Sequence, residues 1–106
     1  MLWHIAEISA WEQATLNTPY TCPSLETEGF IHMSTSKQWL EVANRLYRGK
    51  PDLLLLEIDE KRLKSQVKYE PNDGDIYPHL YGKLNVDAVV NVHPLRALPD
   101  GSFGPL

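Results

Sequence analysis

The chain has 106 residues and a mass of 12.1 kDa, enough for one domain with one hydrophobic core. Apolar residues make up 42% and charged residues 23%, an ordinary globular balance that argues against an intrinsically disordered chain. The net charge of −4 gives the surface no general attraction for phosphate backbones, which argues against nonspecific nucleic-acid binding. The single cysteine, Cys22, excludes an internal disulfide and a cysteine-rich zinc module.

The sequence carries no recognisable membrane or export signal. The first residues lack the basic flank and apolar run of a signal peptide. The longest strongly apolar run, Leu53 to Leu56, is far too short to span a bilayer. We therefore expect a soluble cytoplasmic protein, with one domain over 1–106 and an irregular tail over 94–106. The sequence does not indicate an oligomeric state.

Both predicted helices lie in the first half of the chain, and most of the predicted strands lie in the second half. The main helix is predicted over Thr35 to Tyr47, because Trp39, Val42 and Leu46 recur at helical spacing and form an apolar stripe that should face the core. A shorter N-terminal helix is predicted after a capping-box pattern at Ser9. The predicted order is a strand over 2–8, a helix over 9–16, a loop over 17–28, a strand over 30–34, the main helix, strands over 53–58 and 66–70, a turn over 71–74, and strands over 76–81 and 88–93. Later strands without crossover helices indicate an α+β fold.

Polar side chains on the predicted strands are the candidates for a functional site. Period-two alternation places Phe30, His32 and Ser34 on one face of their strand, and pairs His79 with Tyr81 on another. His4 lies on the first strand, and Glu70 ends a later one. If these strands are neighbours, the six polar residues line one small cleft, and the imidazoles of His32 and His79 lie within about 10 Å of each other.

Each candidate also has a purely structural interpretation. A strand histidine often bonds a backbone carbonyl, and Ser34 is equally suited to cap the following helix. Glu70 before a turn fits a solvated strand end. Arg45, Arg48 and Lys50 are interpreted as a solvated helix end that would also suit a phosphate.

Metal chemistry and cysteine chemistry have weaker support. The imidazoles and Glu70 are ligand types that zinc accepts, but no two of them share the close spacing of compact metal sites, so no metal ligands are assigned. Cys22 lies in a predicted loop with no helix N-terminus to lower the pKa of its thiol.

Two segments are specific enough to suggest a family. Gly29-Phe30-Ile31-His32-Met33-Ser34 and Tyr77-Pro78-His79-Leu80-Tyr81-Gly82 resemble the signatures of DUF952, a small bacterial family of unknown function. The segments Trp3-His4-Ile5, Val67-Lys68-Tyr69-Glu70 and Asn85-Val86-Asp87-Ala88-Val89 also fit its layout. The resemblance implies a small fold similar to ADP-ribosyltransferases, with two packed sheets around a cleft that holds a nicotinamide dinucleotide.

The resemblance also implies roles for the candidates. Glu70 and His32 would be catalytic, with Glu70 stabilising an oxocarbenium-like transition state. His4 and His32 would hold ribose or phosphate oxygens, Ser34 would donate a hydrogen bond, and Tyr81 would stack. His79 would complete the ligand-binding set, and NAD would be the cofactor or substrate.

The leading hypothesis is therefore a nucleotide-binding protein, NAD-like in its ligand, with ADP-ribosyl-transfer or glycohydrolase chemistry. One alternative is a noncatalytic module on the same fold that binds a ligand or a partner. A Glu70 that is solvated and far from His32 would favour that alternative. A third hypothesis, a metal-dependent hydrolase, needs at least three converging ligands.

Overall fold

Six strands and three short helices build the protein, as described by a computed structural model of residues 1–106. The strands are β1 Leu2–Glu7, β2 Ile31–His32, β3 Leu53–Ile58, β4 Gln66–Asn72, β5 Asp75–Tyr81 and β6 Val89–Leu95. The helices are α1 Ile8–Glu12, α2 Pro23–Thr27 and α3 Trp39–Leu46, with 3-10 turns at Glu60–Arg62 and Val86–Ala88. None of these helices has the length and apolar character needed to cross a membrane.

The strands form two antiparallel sheets of three. The first sheet has the order β1-β3-β6 and the second the order β2-β5-β4. A pair of backbone hydrogen bonds between Trp3 and Ser34, 2.8 and 2.7 Å long, joins the edge of the first sheet to the chain just after β2. The predicted α+β class with two packed sheets is confirmed.

Two apolar clusters cover the two faces of the first sheet. β3 is buried on both faces, as its Leu-rich sequence predicts, because alternate residues enter different clusters. The inner cluster lies between the two sheets and includes Leu56, Ile58, Ile31 and Leu80. The outer cluster packs the other face of the first sheet against α3 and the C-terminal tail; its members are Ile5, Trp39, Ala43, Leu53, Leu55, Leu95 and Phe103.

The main helix is shorter than its predicted span. Regular α-helix begins at Trp39, and residues 35–38 form a turn that leads into it. The Gln38 side chain accepts a hydrogen bond from the Thr35 amide at 3.0 Å, the reach-back contact of a capping box. The Gln38 amide group also donates to Asp75 and to the Ile76 carbonyl at the start of β5, and these contacts tie the turn to the second sheet.

The N-terminal region also differs from its prediction. α1 ends at Glu12, not near Leu16, and Ser9 does not cap it. The helix begins one residue earlier, at Ile8, whose amide donates to the Asp52 carbonyl at 3.0 Å. The predicted loop over 17–28 contains α2, which has Pro23 at its first position.

Candidate functional site

A cleft opens beside the junction of the two sheets. It has a larger lobe of about 280 Å³ and a smaller lobe of about 230 Å³. Both lobes are lined by His4, Ile5, His32 and Tyr47, so the two lobes adjoin each other, and we describe them together as the cleft. The strands β1 and β2 supply its floor, and α3 supplies one wall.

The larger lobe combines apolar walls with a few polar groups, which is the usual composition of a small-molecule site. Its apolar lining comes from Trp3, Ile5, Met33, Val42 and Leu46. Its polar lining comes from Glu28, His32, Ser34, Arg45, Tyr47, Asn72, Asp73 and Tyr77. The last five of these come from the end of α3 and the β4–β5 hairpin.

The His4 imidazole is held by protein groups on both sides. Its Nδ1 donates to the His32 carbonyl at 2.5 Å, and its Nε2 accepts from the Tyr20 hydroxyl at 2.8 Å. Burial lowers the pKa of His4 to about 4, so the ring is neutral near pH 7. Burial also raises the pKa of Tyr20, which keeps its hydroxyl a donor. A ligand can bond a His4 nitrogen only by breaking one of these hydrogen bonds, so the ligand-holding role expected for His4 is a structural one in this conformation.

Glu70, His79 and Tyr81 form a hydrogen-bonded cluster on the second sheet, outside the two lobes. Glu70 Oε1 accepts from His79 Nδ1 at 3.0 Å and from the Tyr81 hydroxyl. These two hydrogen bonds, that of Tyr81 first, lower the pKa of Glu70, so its carboxyl stays ionised. His79 is 3% exposed, and its Nε2 has no hydrogen-bond partner.

An aromatic contact joins this cluster to the cleft. Phe30 stacks on His79 with ring centroids 4.0 Å apart, and the rings of His32 and His79 lie 5.5 Å apart, edge to face. His32 Nε2 is 2.9 Å from Oε2 of Glu28, the residue that directly follows α2. The structure therefore confirms that His32 and His79 lie on the same face and close together.

The six predicted site residues thus divide into two groups. His4, His32 and Ser34 line the cleft, whereas Glu70, His79 and Tyr81 lie beside it. Tyr81 packs against Phe30, with ring centroids 5.4 Å apart. No group of three or more His, Cys, Asp or Glu side chains is arranged to hold a metal ion, so the hydrolase hypothesis has no ligand set in this structure.

Sequence reasoning missed several residues of the cleft. Tyr77 has the same strand alternation as His79 and Tyr81, so that pattern carried a signal for it. The sequence predicts Tyr47 as the last residue of the main helix and Arg45 as part of a solvated helix end. Both line the larger lobe, because the last turn of α3 lies over the junction of the sheets.

Comparison with known proteins identifies relatives but no activity. The family model of DUF952, described as a protein of unknown function, matches residues 5–92. The crystal structure of protein CC0527 from Caulobacter crescentus is 28% identical, with a TM-score of 0.86 over 97% of this chain and 92% of that chain. The solution structure of CC0527 is 29% identical, with a TM-score of 0.79 over 94% and 88% of the two chains. No curated protein matches the chain.

Proposed function

This chain belongs to the DUF952 family, whose function is unknown, and from the geometry of its cleft we propose that it binds a nucleotide-like small molecule there. The observation that carries the proposal is a pair of free hydroxyl groups between apolar walls. Ser34 and Tyr47 both line the larger lobe, and neither hydroxyl makes a hydrogen bond within the protein. A ligand with acceptor atoms at these positions satisfies both.

The walls of the larger lobe suit a flat ring. Trp3, Tyr47 and Tyr77 present aromatic side chains to it, and Val42 and Met33 add aliphatic surface. Burial raises the pKa of Tyr47, so its hydroxyl remains protonated and able to donate. A ring with hydroxyl or carbonyl substituents, as in a nucleoside, matches this combination of surface and donors.

Transfer chemistry is a second candidate, and the ionised Glu70 favours it. Its Oε1 is occupied by His79 and Tyr81, but its Oε2 has no protein partner, and 35% of its side chain is exposed. Glu70 is thus neither fully solvated nor remote from His32, although it does not line the cleft. ADP-ribosyl transfer or glycohydrolysis would require the ligand to reach this oxygen past Phe30.

The binding proposal is tested by thermal shift and calorimetry with adenosine, nicotinamide, ADP-ribose and NAD. A ligand at 100 times its Kd stabilises the fold by about 2.7 kcal/mol, a shift that is easily measured. Ser34→Ala and Tyr47→Phe should each weaken binding about fivefold, the effect of losing one hydrogen bond of about 1 kcal/mol. Ser36→Ala and Tyr69→Phe are the matched controls, because both residues are exposed and neither lines the cleft. Equal ligand affinity in all four variants would contradict a binding site that uses the hydroxyls of Ser34 and Tyr47.

The chemical proposal needs its own assay. If Glu70 stabilises positive charge in the transition state, Glu70→Gln should bind ligand normally and lose about a hundredfold in nicotinamide release from NAD. Tight binding of NAD by the wild type without release of nicotinamide would contradict transfer chemistry and favour the noncatalytic binding module. The likeness to ADP-ribosyltransferases and the cytoplasmic location remain predictions from the sequence.

A further inference from the structure

The charged side chains that line the cleft are already paired with one another. Arg45 Nη1 lies 3.1 Å from Asp73 Oδ2 in the larger lobe, and Lys50 Nζ lies 2.9 Å from Glu7 Oε1 in the smaller one. The remaining carboxylate, Glu28, bonds His32 at 2.9 Å. No lysine or arginine of the cleft is therefore left without a carboxylate partner.

This pairing decides what charge a ligand can carry into the cleft. An anion that approaches Arg45 also approaches Asp73, and one that approaches Lys50 also approaches Glu7. Attraction and repulsion then nearly cancel unless the ion pair breaks. A phosphate inside the cleft would also lose its hydration without gaining a free cation.

The groups that remain unpaired are uncharged. They are the hydroxyls of Ser34 and Tyr47 and the side-chain amide of Asn72. Hydroxyls and amides recognise carbonyl, hydroxyl and ring-nitrogen acceptors. Such acceptors occur on a nucleobase and its ribose.

We propose that the part of the ligand held in this cleft is an uncharged nucleoside, and that any phosphates lie outside the cleft in solvent. The inference rests on the proposed function and specifies its substrate class. It also assigns Asp73 a role in specificity, because the Asp73 carboxylate offsets the charge of the Arg45 guanidinium that would attract a phosphate.

The test compares adenosine, AMP, ADP and NAD by calorimetry on the intact chain, with guanosine, cytidine and uridine as further nucleosides. We expect AMP and ADP to bind no more tightly than adenosine. The affinity should change by less than about threefold between about 50 mM and about 500 mM salt, because no free ionic contact is made. A nucleotide that binds at least tenfold more tightly than its nucleoside, with a gain that high salt removes, would overturn the inference and leave the binding proposal intact. No binding of any nucleoside or nucleotide would overturn both.

A charge-removal variant tests the inference from the opposite direction. Asp73→Asn frees Arg45, so it should improve AMP relative to adenosine by about tenfold, in a salt-dependent manner. Asp100→Asn is the control, because Asp100 Oδ2 lies 3.9 Å from Arg48 Nη2 and does not line the cleft. Thermal melts of both variants report folding. An unchanged AMP-to-adenosine ratio in a folded Asp73→Asn protein would overturn the role of charge pairing.

Discussion

His4 is a buried histidine whose charge state is linked to stability. Both of its ring nitrogens have partners, the His32 carbonyl and the Tyr20 hydroxyl, and the proton on Nδ1 leaves Nε2 as an acceptor. A second proton would go to Nε2, where it would break the hydrogen bond from Tyr20 and place a charge in the interior. The pKa of about 4 in the folded state follows from that burial.

Acid should therefore destabilise the protein through His4. The pKa of about 4 in the fold lies below the ordinary 6.5, so between these values the unfolded chain binds the proton and the folded chain does not. The contribution of neutral His4 to the free energy of unfolding is therefore complete above about pH 6.5. It falls by up to about 3 kcal/mol as the pH drops towards 4. Urea melts at about pH 7 and about pH 4.5 measure the loss.

The control for this prediction is His4→Gln, which keeps a donor and an acceptor but cannot titrate. The variant should lose less stability than the wild type over the same pH interval, even if it is less stable at pH 7. Equal acid losses in both proteins would assign the effect to other groups.

Gly82 is a second residue with a sharp stability prediction. A Cβ built on Gly82 would lie 2.2 Å from Ser65 Oγ and 2.8 Å from Ser65 Cβ, so rotation of the serine hydroxyl does not relieve the overlap. Gly82→Ala should cost about 1–3 kcal/mol in chemical unfolding, the usual range for overpacking. Gly104→Ala is the control, since a Cβ there meets nothing within 4 Å, and it should change stability by less than about 0.5 kcal/mol. Similar effects at the two positions would show that the Ser65 contact is not tight.

The elements that the sequence predicts best are those with one dominant local pattern. The Leu-rich β3 spans the predicted residues 53–58. The turn predicted over 71–74 is shorter, at 73–74, because β4 continues to Asn72. Elements that depend on tertiary partners are less predictable. At the start of α1 the Ile8 amide donates to the Asp52 carbonyl, a distant backbone group that no local pattern reveals. For α2 a local signal existed, because Pro23 at a first helical position is typical of a helix start.

The packing of α3 on the first sheet gives a prediction at the scale of elements. Trp39 is 6% exposed, and its ring centroid lies 6.2 Å from that of Trp3 on β1. Trp39→Ala should cost about 3–5 kcal/mol in denaturant melts, because it empties the centre of the outer cluster. Leu46→Ala, on the same helix but 62% exposed, should cost less than about 1 kcal/mol. A loss below about 1 kcal/mol for Trp39→Ala would show that the helix contributes little to the fold.

At the scale of the whole molecule, the cleft is a product of topology. Its residues come from β1, β2, the end of α3 and the β4–β5 hairpin, so they are brought together only when both sheets have packed. Alternation within one strand was enough to place His32 and Ser34 on a common face. It was not enough to find Arg45 or Tyr47, because the position of α3 over the junction depends on the outer cluster. Strand alternation also could not show that the Nε2 atom of His4 accepts a hydrogen bond from Tyr20, which is 16 residues away in the sequence.

The shared inner cluster should make the two sheets unfold together. Leu80 belongs to β5 of the second sheet and is fully buried against residues of the first, including Leu56 and Ile58. If the cluster couples the sheets, a cavity at Leu80 destabilises the whole chain rather than the second sheet alone.

Tryptophan fluorescence can test that coupling, because Trp3 and Trp39 lie on the opposite side of the first sheet from Leu80. In a Trp11→Phe background these two residues are the only tryptophans, since the chain contains three. Leu80→Ala should then lower the stability reported by their fluorescence by about 2–5 kcal/mol, equal to the loss reported by far-ultraviolet circular dichroism. A fluorescence transition that stays at its original denaturant concentration while the circular dichroism transition shifts would mean that the first sheet and α3 fold without the second sheet. In that case the cleft beside the junction of the two sheets would be complete only while the second sheet is folded, and a ligand bound there would stabilise the second sheet.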